Sequence, residues 1–81
     1  MKLSSFTAGD TVLITAVAVK QPLANRLYAL GVRAGSRVRV LRRAPFGGGL
    51  MLEADGVRLA VRLSLADQIS ALPAKGEEDT P

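Results

Sequence analysis

The segment LMLEADGVRLAVRL, running from Leu50 to Leu63, restricts the fold more than any other part of the chain. Asp-Gly between alternating apolar residues is the strongest short-range signal for a two-residue hairpin, because a type I′ turn needs positive φ at both central positions. With Asp55-Gly56 as the turn, Ala54 pairs with Val57, Leu52 with Leu59 and Leu50 with Val61 on one face, while Glu53 stands opposite Arg58 on the other. An apolar face and a charged face follow. That is the pattern of an antiparallel sheet packed on one core.

The rest of the chain repeats this grammar with one interruption. A Ser/Thr/Gly/Asp cluster ending in the turn Thr7 to Asp10 precedes a β-branched run from Thr11 to Val19, read as the first strand. Its apolar residues fall on both faces, as they would in a strand covered on two sides. At Lys20 the period changes. Pro22 suits a first helical turn, Leu23, Leu27 and Leu30 recur at i, i+4 and i+7, and Gly31 stands where a left-handed residue ends a helix, with Val32 placed to fold back on the last turn. A helix of about two to three turns is marginal alone, so its leucine stripe is expected to dock on the sheet.

Beyond Gly35, SRVRVLRR returns to period two, with Val38 and Val40 on one side and Arg37 and Arg39 on the other. The apolar side switches at Leu41, which predicts a bulge near Val40. APFGGG at 44–49 reads as a loop, SLAD at 64–67 as a capping box for a single turn, and QISAL as a short last strand. Five short antiparallel strands with tight turns bury their apolar faces best by curling into a small all-β barrel, of SH3-like or OB-like type, with one inserted short helix. The expected domain covers residues 1–73. From residue 74 to 81 the acidic tail shows no apolar periodicity and is expected to be disordered.

The chain has 81 residues, enough for one core but not two. Residues 1–73 hold ten basic and four acidic side chains, so the folded part carries +6 and the tail −2, which favours an acidic partner. Cysteine and histidine are absent, which removes disulfides, thiolate chemistry, the usual metal ligand and the usual general base. MKLSSFTAGD lacks an apolar h-region, and VLITAVAV is far short of the roughly 20 residues that span a bilayer, so a cytoplasmic protein without membrane insertion is expected.

Catalysis would have to rest on carboxylates, arginines or hydroxyls. Each acid outside the tail has a structural explanation: Asp10 and Asp55 sit in turns, Glu53 faces a cross-strand arginine, and Asp67 reads as a cap. No enzyme, no cofactor and no metal site is read from these residues. GGG at 47–49 lacks the Lys-Ser/Thr and the helix of a phosphate loop. Arg37, Arg39, Arg42 and Arg43 form a basic stripe, but none of Phe6, Tyr28 and Phe46 lies in it, so base-stacking platforms are missing and nucleic acid is not the expected partner. Phe46 beside the glycines is either a partner anchor or a plug for the end of the barrel. Arg26, next to Leu27 on the docked helix, emerges at the helix rim, where it can pair within the domain or reach a partner.

Read in order, LSSFTAGD, RLYALGVRAGSRVRVLRRAPFG and LAVRLSLADQI resemble the FeoA family, small cytosolic proteins of bacterial ferrous iron uptake. The matching elements are Leu3-Ser4, Gly9-Asp10, Arg26-Leu27, Leu30-Gly31, Gly35, Pro45 and Gly47, Ala60 and Arg62, and Ala66 and Ile69. Departures are Lys20 in place of a frequent glycine, Gly48 and Gly49 in place of Asp-Pro, and Val61 and Leu63 around Arg62. The resemblance implies an SH3-like barrel with the helix between its first two strands, acting beside a membrane ferrous iron permease that carries a cytosolic GTPase domain. It also brings the family term of transition metal ion binding.

On this reading the chain is a non-enzymatic accessory module that docks on and regulates the permease, with Arg26, Leu27, Tyr28, Leu30, Pro45 and Phe46 facing or shaping the partner surface. Two alternatives stand beside it. One is a nucleic-acid-binding barrel using the arginine stripe, and the other a GTPase-activating partner inserting Arg26. A weak homo-oligomer stays open.

Overall fold

The computed structural model describes residues 1–44 and 48–74. After a 3₁₀ turn at Leu3–Ser5 come β1 (Thr11–Val17), α1 (Leu23–Ala29), β2 (Arg37–Arg43), β3 (Leu50–Ala54), β4 (Val57–Val61), α2 (Leu63–Ala66) and β5 (Ile69–Pro73). The five strands form one antiparallel sheet in the order β4-β3-β2-β1-β5. The molecule is therefore a mixed fold of antiparallel strands and short helices.

The hairpin has the register its sequence dictates: Ala54 opposite Val57, Leu52 opposite Leu59, Leu50 opposite Val61, and Glu53 opposite Arg58. Asp55 and Gly56 take φ of 53° and 76°, as a type I′ turn requires. Inner residues line up across strands, with Val12 beside Val38, Val40 beside Leu52, and Ile14 beside Ala71. All six are fully buried. Burial fades toward the hairpin tip, where Leu59 is half-buried and Val57 is 43% exposed.

Two register slips bend the sheet. Between β2 and β3, Val40 faces Leu52 but Arg42 faces Met51, which makes Leu41 the extra residue of the expected bulge. Between β1 and β5, Ile14 faces Ala71 and Ala16 faces Ser70, leaving Thr15 over. This second slip corrects the reading of β1 as covered on both sides. Val12 and Ile14 are buried before it and Val17 is half-buried after it, while Thr15 and Ala16 are exposed. The apolar residues on both faces of the sequence record one face whose phase changes.

Gly49 adds a constraint at the start of β3. It has φ of +109°, and a Cβ there would lie 2.5 Å from the Val61 carbonyl oxygen, so both the backbone conformation and the approach of β4 require glycine. Leu3, Phe6, Leu27, Val32 and Ala66 complete the core from outside the sheet.

One further expectation is corrected. The SLAD turn begins one residue early, at Leu63, with Arg62 in the N-cap position and no side-chain cap, so Ser64 caps nothing. Asp67 instead accepts a hydrogen bond from the Ser4 hydroxyl, joining the first turn of the chain to α2. At the far end, the Ala74 N–H donates to the Thr11 carbonyl at 2.8 Å. The expected acidic tail lies, from residue 75 on, outside the described residues.

Candidate partner-binding site

The α1 region owes its shape to its two ends. At the start, the Gln21 side-chain oxygen accepts the Asn25 N–H at 3.2 Å, supplying the cap that Pro22 cannot. At the finish, the Val32 N–H donates to the Leu27 carbonyl at 2.8 Å and the Gly31 N–H to the Tyr28 carbonyl at 3.1 Å. These are the 6→1 and 5→2 bonds of a Schellman motif, with Gly31 at φ of +96° in the left-handed position. Val32 folds back and is buried. A Cβ on Gly31 would lie 3.2 Å from the Cβ atoms of Ala54 and Asp55, so the end of the helix rests against the β3–β4 turn.

Only part of the leucine stripe docks. Leu27 is 3% exposed, Leu30 is half-buried, and Leu23 at 38% faces solvent. The sequence shows a stripe on one face, but not how closely that face approaches the sheet. The C-terminal end of the helix is the anchored one, through buried Leu27 and Val32 and through Gly31 against Ala54 and Asp55.

Beside α1, a shallow cavity of about 310 Å³ is lined by Val17, Ala24, Asn25, Tyr28, Val32 and Arg33 among others. Its size is at the lower end for small-molecule pockets. Tyr28 stands on its rim, 63% exposed. The Arg33 guanidinium carbon lies 5.1 Å from the centre of the Tyr28 ring, Nη1 donates to the Tyr28 carbonyl at 3.3 Å, and Nη2 is 3.9 Å from Asp55 Oδ2. A cation over an aromatic face is held by the ring quadrupole. One arginine thus satisfies a terminal helix carbonyl, orients the tyrosine and reaches the hairpin tip. Sequence reasoning missed it, although a basic residue just past a helix C-terminus is the usual partner for the last carbonyls.

The residues picked from sequence are distributed unevenly. Arg26 is exposed and makes no ion pair among the described residues. It is two positions from Tyr28, about 200° round the helix, so the two side chains occupy opposite flanks. Leu27 and Leu30 support the surface from beneath, whereas Tyr28 and Arg33 share one side of it. Pro45 and Phe46 lie outside the described residues. Within the basic stripe, Arg43 is taken up by the fold, since its Nη1 donates to the Ser4 and Phe6 carbonyls at 2.7 and 3.0 Å.

The arrangement is suited to binding. The cavity wall offers apolar surface, one aromatic ring and one guanidinium, a set that receives an apolar side chain next to a carboxylate or a backbone carbonyl. Among the described residues, no group of three or more Asp or Glu is placed to hold a metal ion, and no helix is long and apolar enough to cross a membrane.

A family model described as the FeoA domain matches residues 1–72. Among solved structures, the FeoA protein from Chlorobium tepidum is 35% identical with a TM-score of 0.86, covering 99% of this chain and 76% of its own. FeoA from Stenotrophomonas maltophilia, solved with zinc and described as a procaryotic SH3 domain protein, is 28% identical with a TM-score of 0.73, over 88% of both chains. The manganese regulator SloR is similar in fold, at 24% identity and a TM-score of 0.76, and the chain spans 34% of that protein's length. No curated protein sequence matches significantly.

Proposed function

We propose that this chain, which belongs to the FeoA family, docks on the cytoplasmic side of a membrane ferrous iron permease carrying a GTPase domain and regulates it. As a FeoA-type domain it is a non-enzymatic accessory of ferrous iron transport. In this reading the sheet is rolled as an SH3-like barrel, a reading supported by the two bulges and by the inner face that the short helices cover. Iron enters as the cargo of the transporter. No tight iron site is assigned to this chain itself, because such sites draw chiefly on histidine and cysteine and the sequence contains neither.

The observation that carries the docking proposal is the Tyr28–Arg33 pair. A 63% exposed aromatic is here ordered by a guanidinium before any partner arrives, and aromatic and arginine side chains are the residues that dominate interface energetics. Arg26 lies on the opposite flank of the helix, Leu27 and Leu30 set the height of the surface, and Pro45 and Phe46 complete the proposed contact set. A pull-down with the cytosolic segments of the permease tests it. Tyr28→Ala and Arg33→Ala should each weaken capture about tenfold or more, and Arg26→Ala and Phe46→Ala should weaken it less. Unchanged capture by all four variants would remove the assignment.

A second reading rests on Arg26, which stands exposed on the flank of α1 opposite Tyr28 and is in no ion pair among the described residues. An arginine in that state is available for insertion into the GTPase site. Mixing the two proteins would then accelerate GTP hydrolysis, and Arg26→Ala would abolish the acceleration while leaving capture intact.

A further inference from the structure

Among the described residues the outer edge of β4 is uncovered, and its chemistry specifies what would fit there. Because Ala54 and Val57 flank a two-residue turn, they form a hydrogen-bonded pair, and alternation along the ladder gives the same role to Leu52 with Leu59 and Leu50 with Val61. The N–H and C=O groups of Val57, Leu59 and Val61 therefore point into the sheet. Those of Arg58 and Ala60 point away from it. β4 is the terminal strand of the sheet, and neither residue makes a backbone hydrogen bond outside the β3 ladder among the described residues. Four backbone groups thus stand in a row along this edge, facing outward.

The side chains add a second pattern. Arg58 and Ala60 are exposed at i and i+2 on the outer face of β4, and exposed Arg62 follows just past the strand's end, still extended at φ −64° and ψ 155°, so two guanidinium groups flank one small residue at a spacing of about 6.8 Å per step. Among the described residues neither arginine is part of an ion pair, and Glu53, opposite Arg58 in register, forms none with it. Met51, half-buried, is the cross-strand neighbour of Ala60 on β3 and borders this row on its inner side.

We infer that β4 is a docking edge for an extended acidic segment of a partner protein, which adds as a further strand. The edge sets the spacing of the segment: acid, any residue, apolar residue, any residue, acid. The two acids meet Arg58 and Arg62, the apolar residue settles over Ala60 against Met51, and the backbone pairs with Arg58 and Ala60. Strand addition takes its affinity from main-chain bonds and its specificity from alternate side chains. This edge shares no residue with the Tyr28–Arg33 surface, and the inference stands or falls independently of the permease reading.

The test uses the full chain and a capped peptide, acetyl-Gly-Glu-Thr-Val-Thr-Glu-Gly-amide, followed by NMR amide exchange and titration. The expected result is slowed exchange at Arg58 and Ala60 with Leu59 unchanged, and affinity at least about tenfold weaker for the peptide carrying glutamine in place of glutamate. Ala60→Pro removes the outward N–H without touching the β3 ladder and should weaken binding by about fivefold to tenfold. Arg58→Glu with Arg62→Glu, both at exposed positions, should abolish binding and keeps the test valid if the proline variant unfolds. Absence of protection at millimolar peptide, or protection confined to the Arg37 and Arg39 face, would overturn the inference. So would protection without peptide that grows with protein concentration, which would make a second copy the occupant, or that vanishes when residues 75–81 are removed, which would make it the chain's own tail.

Discussion

The two edges of the sheet are finished in different ways. Along β5 the chain covers its own edge: Lys2 bridges to Ser70, and the Ala71 N–H donates to the Met1 carbonyl at 2.7 Å. That cover is held down three times over, by the buried Leu3 and Phe6, by Arg43 reaching the Ser4 and Phe6 carbonyls, and by the Ser4 hydroxyl on Asp67. Along β4 there is no such cover among the described residues, and the edge is guarded by Arg58 and Arg62. Charged side chains on an open edge discourage pairing with neutral or basic strands. A covered edge contributes to stability, whereas a charged one costs little and leaves the strand open to a partner of opposite sign.

This contrast can be broken most severely at Leu3. It is fully buried, and Leu3→Ala should lower unfolding free energy by about 3 kcal/mol, measured by chemical denaturation. The Ala71 amide should exchange faster in that variant while the β3–β4 ladder keeps its protection. Arg43→Ala loses two bonds to backbone carbonyls and should cost about 1 to 2 kcal/mol, with faster exchange again confined to the β5 side. Ser4→Ala removes the link to Asp67 and should cost about 0.5 to 1 kcal/mol. At the open edge, Val57→Thr at a 43% exposed position should change stability by no more than about 0.5 kcal/mol. A loss there comparable to that of Leu3→Ala would mean that the fold depends on β4 no less than on β5.

What was legible in the sequence is what is encoded locally. Asp55-Gly56 fixes its hairpin within four residues, Gly31 and Val32 end α1 through neighbouring carbonyls, and the phase switch at Leu41 announces its bulge because arginines mark the outer side. The slip at Thr15 went unread because β1 carries apolar residues in both phases and no charge marks either face. The N-terminal cover was hidden for another reason. LSSF has no period, and the Ser4–Asp67 contact joins residues 63 positions apart, a pairing that no window of sequence contains. The candidate site divides along the same line. Tyr28 was visible as an aromatic on a short helix, but Arg33 gains its role from Asp55, a contact made only when the hairpin folds against the helix. Exposed Leu23 belongs with these, since a leucine stripe states which way a helix faces and not how far it stands from the sheet.

The contact of Gly31 with the hairpin tip has a mechanical meaning. With 3.2 Å between its missing methyl and the Cβ atoms of Ala54 and Asp55, this glycine sets the thickness of the joint between helix and turn. Any larger residue would act as a shim. It would tilt the tyrosine-bearing surface away from the sheet and alter what that surface can grip, although every side chain that does the gripping would be unchanged.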